Sequence, residues 1–136
     1  MADNNNEIDV EPDPSKILHH LLTLQNQMKL YHWQTKSYAR HKAADEFVAK
    51  SINIIDRVVE SYQGEHDTIM LEQNNKSIPL DNITDENIIA FLKKAKKMIN
   101  TDFAQLLNAG DDQELANLRD EMLENIDITL YLFEFE

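Results

Sequence analysis

Cysteine is absent from this 136-residue chain, which excludes disulfides, thiolate nucleophiles and cysteine-ligated zinc or iron–sulfur centres. Glycine occurs twice and proline three times, too few for the turns of a sheet protein. Long apolar patterns of 3.6-residue period fill the chain instead, so the expected class is all-α. There is no apolar run of membrane-spanning length and no basic-then-apolar leader, and the expectation is a soluble, cytoplasmic protein with no membrane partner. Basic residues are also scarce. Thirteen Lys and Arg against 25 Asp and Glu give a formal charge of −12, which repels a phosphate backbone and argues against nucleic acid as a partner. The one basic cluster, Lys93, Lys94, Lys96 and Lys97, has no interleaved aromatics and reads as a solvated helix face.

The length suits a single domain with a substantial core. Residues 1–14, acidic and closed by Pro12 and Pro14, read as a flexible tail, and residues 15–136 as a bundle domain of four helices. Ser15 is the expected cap of the first helix, whose seam is Ile17, Leu21, Leu24, Met28 and Tyr31. A short link from Gln34 to Arg40 leads to a long second helix that stops at Gly64. About 20 residues follow before the next strong pattern near Thr84 or Asp85, too many for a simple turn. A crossover between helices two and three explains them, with a brief helix expected over 68–72. The third helix buries Ile88, Phe91, Leu92, Ala95, Met98, Ile99, Phe103 and Leu106. Gly110 is expected to end it, and Asp111 and Asp112 to open a fourth helix with Leu115, Leu118, Met122, Ile126, Leu130 and Phe133 inward.

The second helix carries the informative pattern. Ala44, Val48, Ser51, Ile55, Val58 and Tyr62 form a core seam, and Glu46, Lys50, Asn53 and Arg57 a solvent side. Between them His41, Asp45, Asp56 and Glu60 fall within about 100° of one another, sharing their stripe with Ile52 and Val59. Imidazole and carboxylate are transition-metal ligands, and mixing them with β-branched residues suggests a contact surface. Asp45 and Asp56 lie roughly 16 Å apart along the axis, so one helix cannot bring both to one ion. An antiparallel second copy can, with His41 and Asp45 of one chain beside Asp56 and Glu60 of the other, giving two sites per two-fold dimer.

The His32–Trp33 pair followed by the H-x3-D-x10-D-x3-E run of His41, Asp45, Asp56 and Glu60 resembles the Dps-type mini-ferritins, a branch of the ferritin-like four-helix bundles. The resemblance implies a ferroxidase centre shared between subunits, with His32, His41 and Asp45 from one chain and Asp56 and Glu60 from its partner. It further implies that Fe(II) is oxidised there by peroxide or dioxygen and stored in a hollow shell, typically a dodecamer. Zinc or manganese binding at the same residues without turnover, on a helical structural or interaction module, is the alternative. The turn between His32 and His41 is shorter than in that family and lacks its glycine, Ser37 standing near it. No E-x-x-H pair occurs, which argues against the within-bundle di-iron site of larger ferritins. Trp33 is expected to pack at its helix end and His19 and His20 to lie at a surface or interface, while His66–Asp67 resembles a metal pair but, as neighbours in a loop, is a weak signal of one. Asp120, Glu121, Glu124 and Asp127 read as exposed helix charge.

Overall fold

The computed structural model describes residues 13–107 and 113–135, and among these it is all-helical, with no strand. The expected tail before Asp13 and the cap residues Gly110, Asp111 and Asp112 lie outside the described residues. Four helices make up the bundle: α1 (Pro14–Gln34), α2 (Tyr38–Glu65), α3 (Ile88–Leu107) and α4 (Gln113–Leu132). None of them is long and apolar enough to cross a membrane.

The start of α1 differs from the expectation. Asp13, not Ser15, is the cap, accepting the Lys16 N–H at 3.1 Å. Pro14 occupies the first turn, where its missing N–H is no loss and its fixed φ already suits a helix. Ser15 is buried instead, and its hydroxyl accepts the Glu72 N–H at 2.8 Å and the Asn75 amide at 2.9 Å. A three-residue link, 35–37, turns the chain into α2, whose cap is Ser37, accepting from the Arg40 N–H at 3.2 Å. Gly64 lies within the last turn of α2, which is capped by His66 through its backbone N–H.

The four apolar seams meet in one core. Leu21, Met28, Tyr31, Ala44, Ile88, Leu92, Phe103, Met122 and Ile126 are fully enclosed. Helix α1 packs on α2 and α3, and α4 packs on the same two, whereas α2 and α3 do not meet. The 22 residues between α2 and α3, 66–87, therefore join non-neighbouring helices. They contain a 3-10 turn at Gln73–Asn75 where a helix over 68–72 was expected. This segment is held by α1 side chains. Ser15 grips it at Glu72 and Asn75, and the Gln27 amide donates to the Asp81 carbonyl at 2.6 Å while accepting the Asp81 N–H at 2.9 Å. A buried amide satisfied at both ends by backbone behaves as one more rung of secondary structure.

Buried polar groups also stand in core register. Asn125 on α4 donates to the Phe47 carbonyl and to the Ser51 hydroxyl of α2, each at 3.2 Å. Asp102 on α3, only 5% exposed, meets His20 Nδ1 of α1 at 2.5 Å. His20 is thus an inter-helix partner and not a surface histidine. The acids of α4 do lie outward, Glu121 pairing with Arg57 and Asp127 with Lys96.

Candidate metal centre

The short link after α1 brings His32, in its last turn, against His41, in the first turns of α2. The two rings stack at 3.9 Å with planes 15° apart. Each Nδ1 donates to the other residue's backbone carbonyl, His32 to His41 O at 2.7 Å and His41 to His32 O at 2.8 Å. A carbonyl can only accept, so both Nδ1 atoms carry hydrogen, and in the neutral rings both Nε2 atoms keep their lone pairs. This is the tautomer and support that metal-binding histidines require. Asp45 stands one turn beyond His41, its Oδ1 3.9 Å from His32 Nε2. Lys29, on α1, lies 3.8 Å from the same oxygen.

The chain gathers His32, His41 and Asp45 at one end of the bundle and leaves Asp56 and Glu60 exposed further along α2. Among the described residues, no three His, Asp or Glu side chains of the single chain converge on one point. One chain therefore carries two separate portions of the predicted ligand set. In the isolated chain the stripe faces outward: the Asp45 side chain is 61% exposed and Ile52 49%. Trp33, expected to pack, is 66% exposed, with the Lys29 ammonium 5.4 Å from its ring centre. Its position at the end of α1 points it off the bundle, where no core helix is available to cover it.

Behind the histidine pair lies a clamp that sequence reasoning missed. The Tyr31 and Thr35 hydroxyls both donate to Asp85 Oδ1 at 2.7 Å. Arg40 donates to the Asp85 carbonyl at 2.7 Å and to the Phe133 carbonyl at 3.2 Å, and its guanidinium lies over the Phe133 ring. The end of α1, the start of α2, the approach to α3 and the end of α4 are thereby tied together next to His32 and His41. The hydroxyls of Tyr31 and Thr35 hold the Asp85 carboxyl below its ordinary value, while burial pushes the Tyr31 phenol up. A buried tyrosine needs a partner for its hydroxyl, and Tyr31 on the α1 seam was the available signal. Asp102 and Asn125 were similarly visible as polar residues in core register.

The geometry defines an all-α four-helix bundle with a stacked histidine pair at one end. A family model, described as a family of unknown function (DUF5856), matches residues 32–133. The chain belongs to that family, and the match runs from His32 of the pair to Phe133 of the clamp. No curated protein and no solved structure matches the chain.

Proposed function

We propose that this protein is an iron-handling bundle of the mini-ferritin kind, a Dps-like ferroxidase whose metal sites are completed by a second copy of the chain. The observation that carries the reading is the reciprocal bonding of His32 and His41, which leaves both Nε2 atoms for a ligand, that of His32 beside exposed Asp45. In an antiparallel two-fold dimer Asp56 and Glu60 of the partner complete each site. The long connection between helices that do not pack on each other fits the crossover of a ferritin-like bundle.

In this reading Fe(II) is the substrate. Imidazole and carboxylate bind it, and the carboxylates favour the harder Fe(III) product. Two Fe(II) ions give one electron each to one hydrogen peroxide, which takes up two protons and leaves as two waters; dioxygen is the other candidate oxidant. The negative charge of the chain concentrates the cation, and a closed assembly, a dodecamer by resemblance, would retain the ferric product in the cytoplasm.

Aerobic addition of Fe(II), followed through ferric absorbance, tests this against an Asp56→Ala, Glu60→Ala double variant. The variant is expected to fall to the uncatalysed rate, and equal rates would remove the ferroxidase reading. A second reading is a non-catalytic scaffold binding zinc or manganese at the same residues. It draws on Lys29, whose ammonium already stands at Asp45, and metal bound without turnover would select it.

A further inference from the structure

The pair formed by Asp102 and His20 takes no part in the metal centre, and it borders a cavity. Asp102 is nine-tenths buried, and His20 Nδ1 is the polar group that meets it. With Nδ1 fixed on the carboxylate, Nε2 is the ring's remaining polar atom. His20 is also the member of the pair that lines a half-enclosed cavity of about 260 Å³ between α1, α3 and the 79–83 segment. Its walls are apolar, formed chiefly by Leu24, Ile83, Phe91, Ala95, Met98 and Ile99. An apolar cavity of about 150 Å³ accepts a benzene ring, so this one has room for a ring and a short substituent.

The polar fittings are few. Gln27 is already satisfied at both ends by the Asp81 backbone, and the Thr23 hydroxyl donates to the His19 carbonyl at 2.8 Å. Lys94, exposed and bonded to nothing among the described residues, stands at the lining together with exposed Asp81. Lys94, part of the basic cluster on α3, is the lining side chain whose N–H groups remain for an anion. Apolar walls with a few polar groups at one side are the usual form of a small-molecule site.

We propose that this cavity binds a small aryl or alkyl carboxylate, its apolar part among the α1 and α3 side chains and its carboxylate at Lys94. Asp81 opposes the anion and sets its affinity low. Binding would brace the 79–83 segment against the bundle, independently of any metal.

The test titrates the full chain with phenylacetate, its uncharged analogue phenylacetamide and the cation 2-phenylethylammonium, read by amide NMR and by melting temperature. Phenylacetate is expected to bind with Kd of about 0.1–1 mM, the range for about ten heavy atoms at ordinary ligand efficiency, shifting the resonances of Leu24, Ala95 and Met98 and raising the melting temperature. The amide should bind several-fold more weakly and the amine weakest. Lys94→Gln should weaken phenylacetate up to about 5-fold and Asp81→Asn should strengthen it by a similar factor, both being exposed charges. Ala95→Leu, which narrows the cavity, should weaken all three probes, and its own melting temperature confirms that it folds. No shifts at the cavity residues, equal binding of acid and amide, or preference for the amine would each overturn the proposal.

Discussion

Asp85 is the residue on which the end of the bundle nearest the histidine pair turns. Its carboxylate takes two hydroxyl hydrogen bonds and its carbonyl takes Arg40, so Asp85→Ala should destabilise by about 1–3 kcal/mol in urea denaturation. The pH dependence follows in sign. Its pKa is lowered on folding, so its contribution is present above the unfolded value of about 3.9 and is lost as pH falls through the folded one. The gap between native protein and Asp85→Asn should thus be full at neutral pH and narrow below about pH 4; a gap independent of pH would show that the charge is not what matters. At the proposed metal centre, Asp56→Asn removes charge at nearly constant shape, and calorimetry should find weaker metal binding with helicity by circular dichroism unchanged. Unaltered affinity would contradict a ligand role. Asp56 and Glu60 could be singled out in the sequence because they share a stripe with His41. Asp85 could not, because its partners Tyr31, Thr35 and Arg40 lie some fifty residues away and only the folded bundle assembles them.

At the level of elements, the apolar seams were legible because the core repeats every three or four residues, and Leu21, Met28, Leu92, Phe103, Met122 and Ile126 are all buried as their spacing requires. Helix ends were less legible. Either Asp13 or Ser15 can cap a helix, and the choice fell to Pro14, which is best placed at the first helical position. Ser15 then serves a different purpose, holding the segment between α2 and α3 through Glu72 and Asn75. Asp13→Ala should cost about 1 kcal/mol, as loss of a cap does. Ser15→Ala should cost about 1–3 kcal/mol because it strands the partners of a buried hydroxyl, and it should also speed hydrogen exchange at the Glu72 amide, which Asp13→Ala should leave alone. The α2–α4 contact has its own polar tie in Asn125 and Ser51. That tie fixes the rotation of α2 against α4, and with it the direction in which the stripe is presented.

For the molecule as a whole, the stripe is meaningful only if something covers it. Ile52, Asp45, Asp56 and Glu60 are exposed in the single chain, and a monomer would leave the ligand set divided. Solution sizing should therefore find a dimer or a larger closed assembly, and Ile52→Lys, which places a charge at the centre of the contact, should shift it toward monomer without altering helix content. A native monomer would remove the shared site. That Asp45 and Asp56 stand too far apart to meet on one helix was foreseeable from helix rise alone. The reciprocal lock of His32 and His41 was not, because it depends on how tightly the 35–37 link folds α2 back onto α1.

The central claim, that each metal site draws on two chains, is tested most directly by complementation. One variant carries His41→Ala and Asp45→Ala, the other Asp56→Ala and Glu60→Ala, and each alone should lack ferroxidase activity. When they are unfolded together, mixed in equal amounts and refolded, half of the dimers pair unlike chains and one of the two sites in each is intact. The account predicts recovery of about one quarter of the native rate. A mixture as inactive as its components would contradict it.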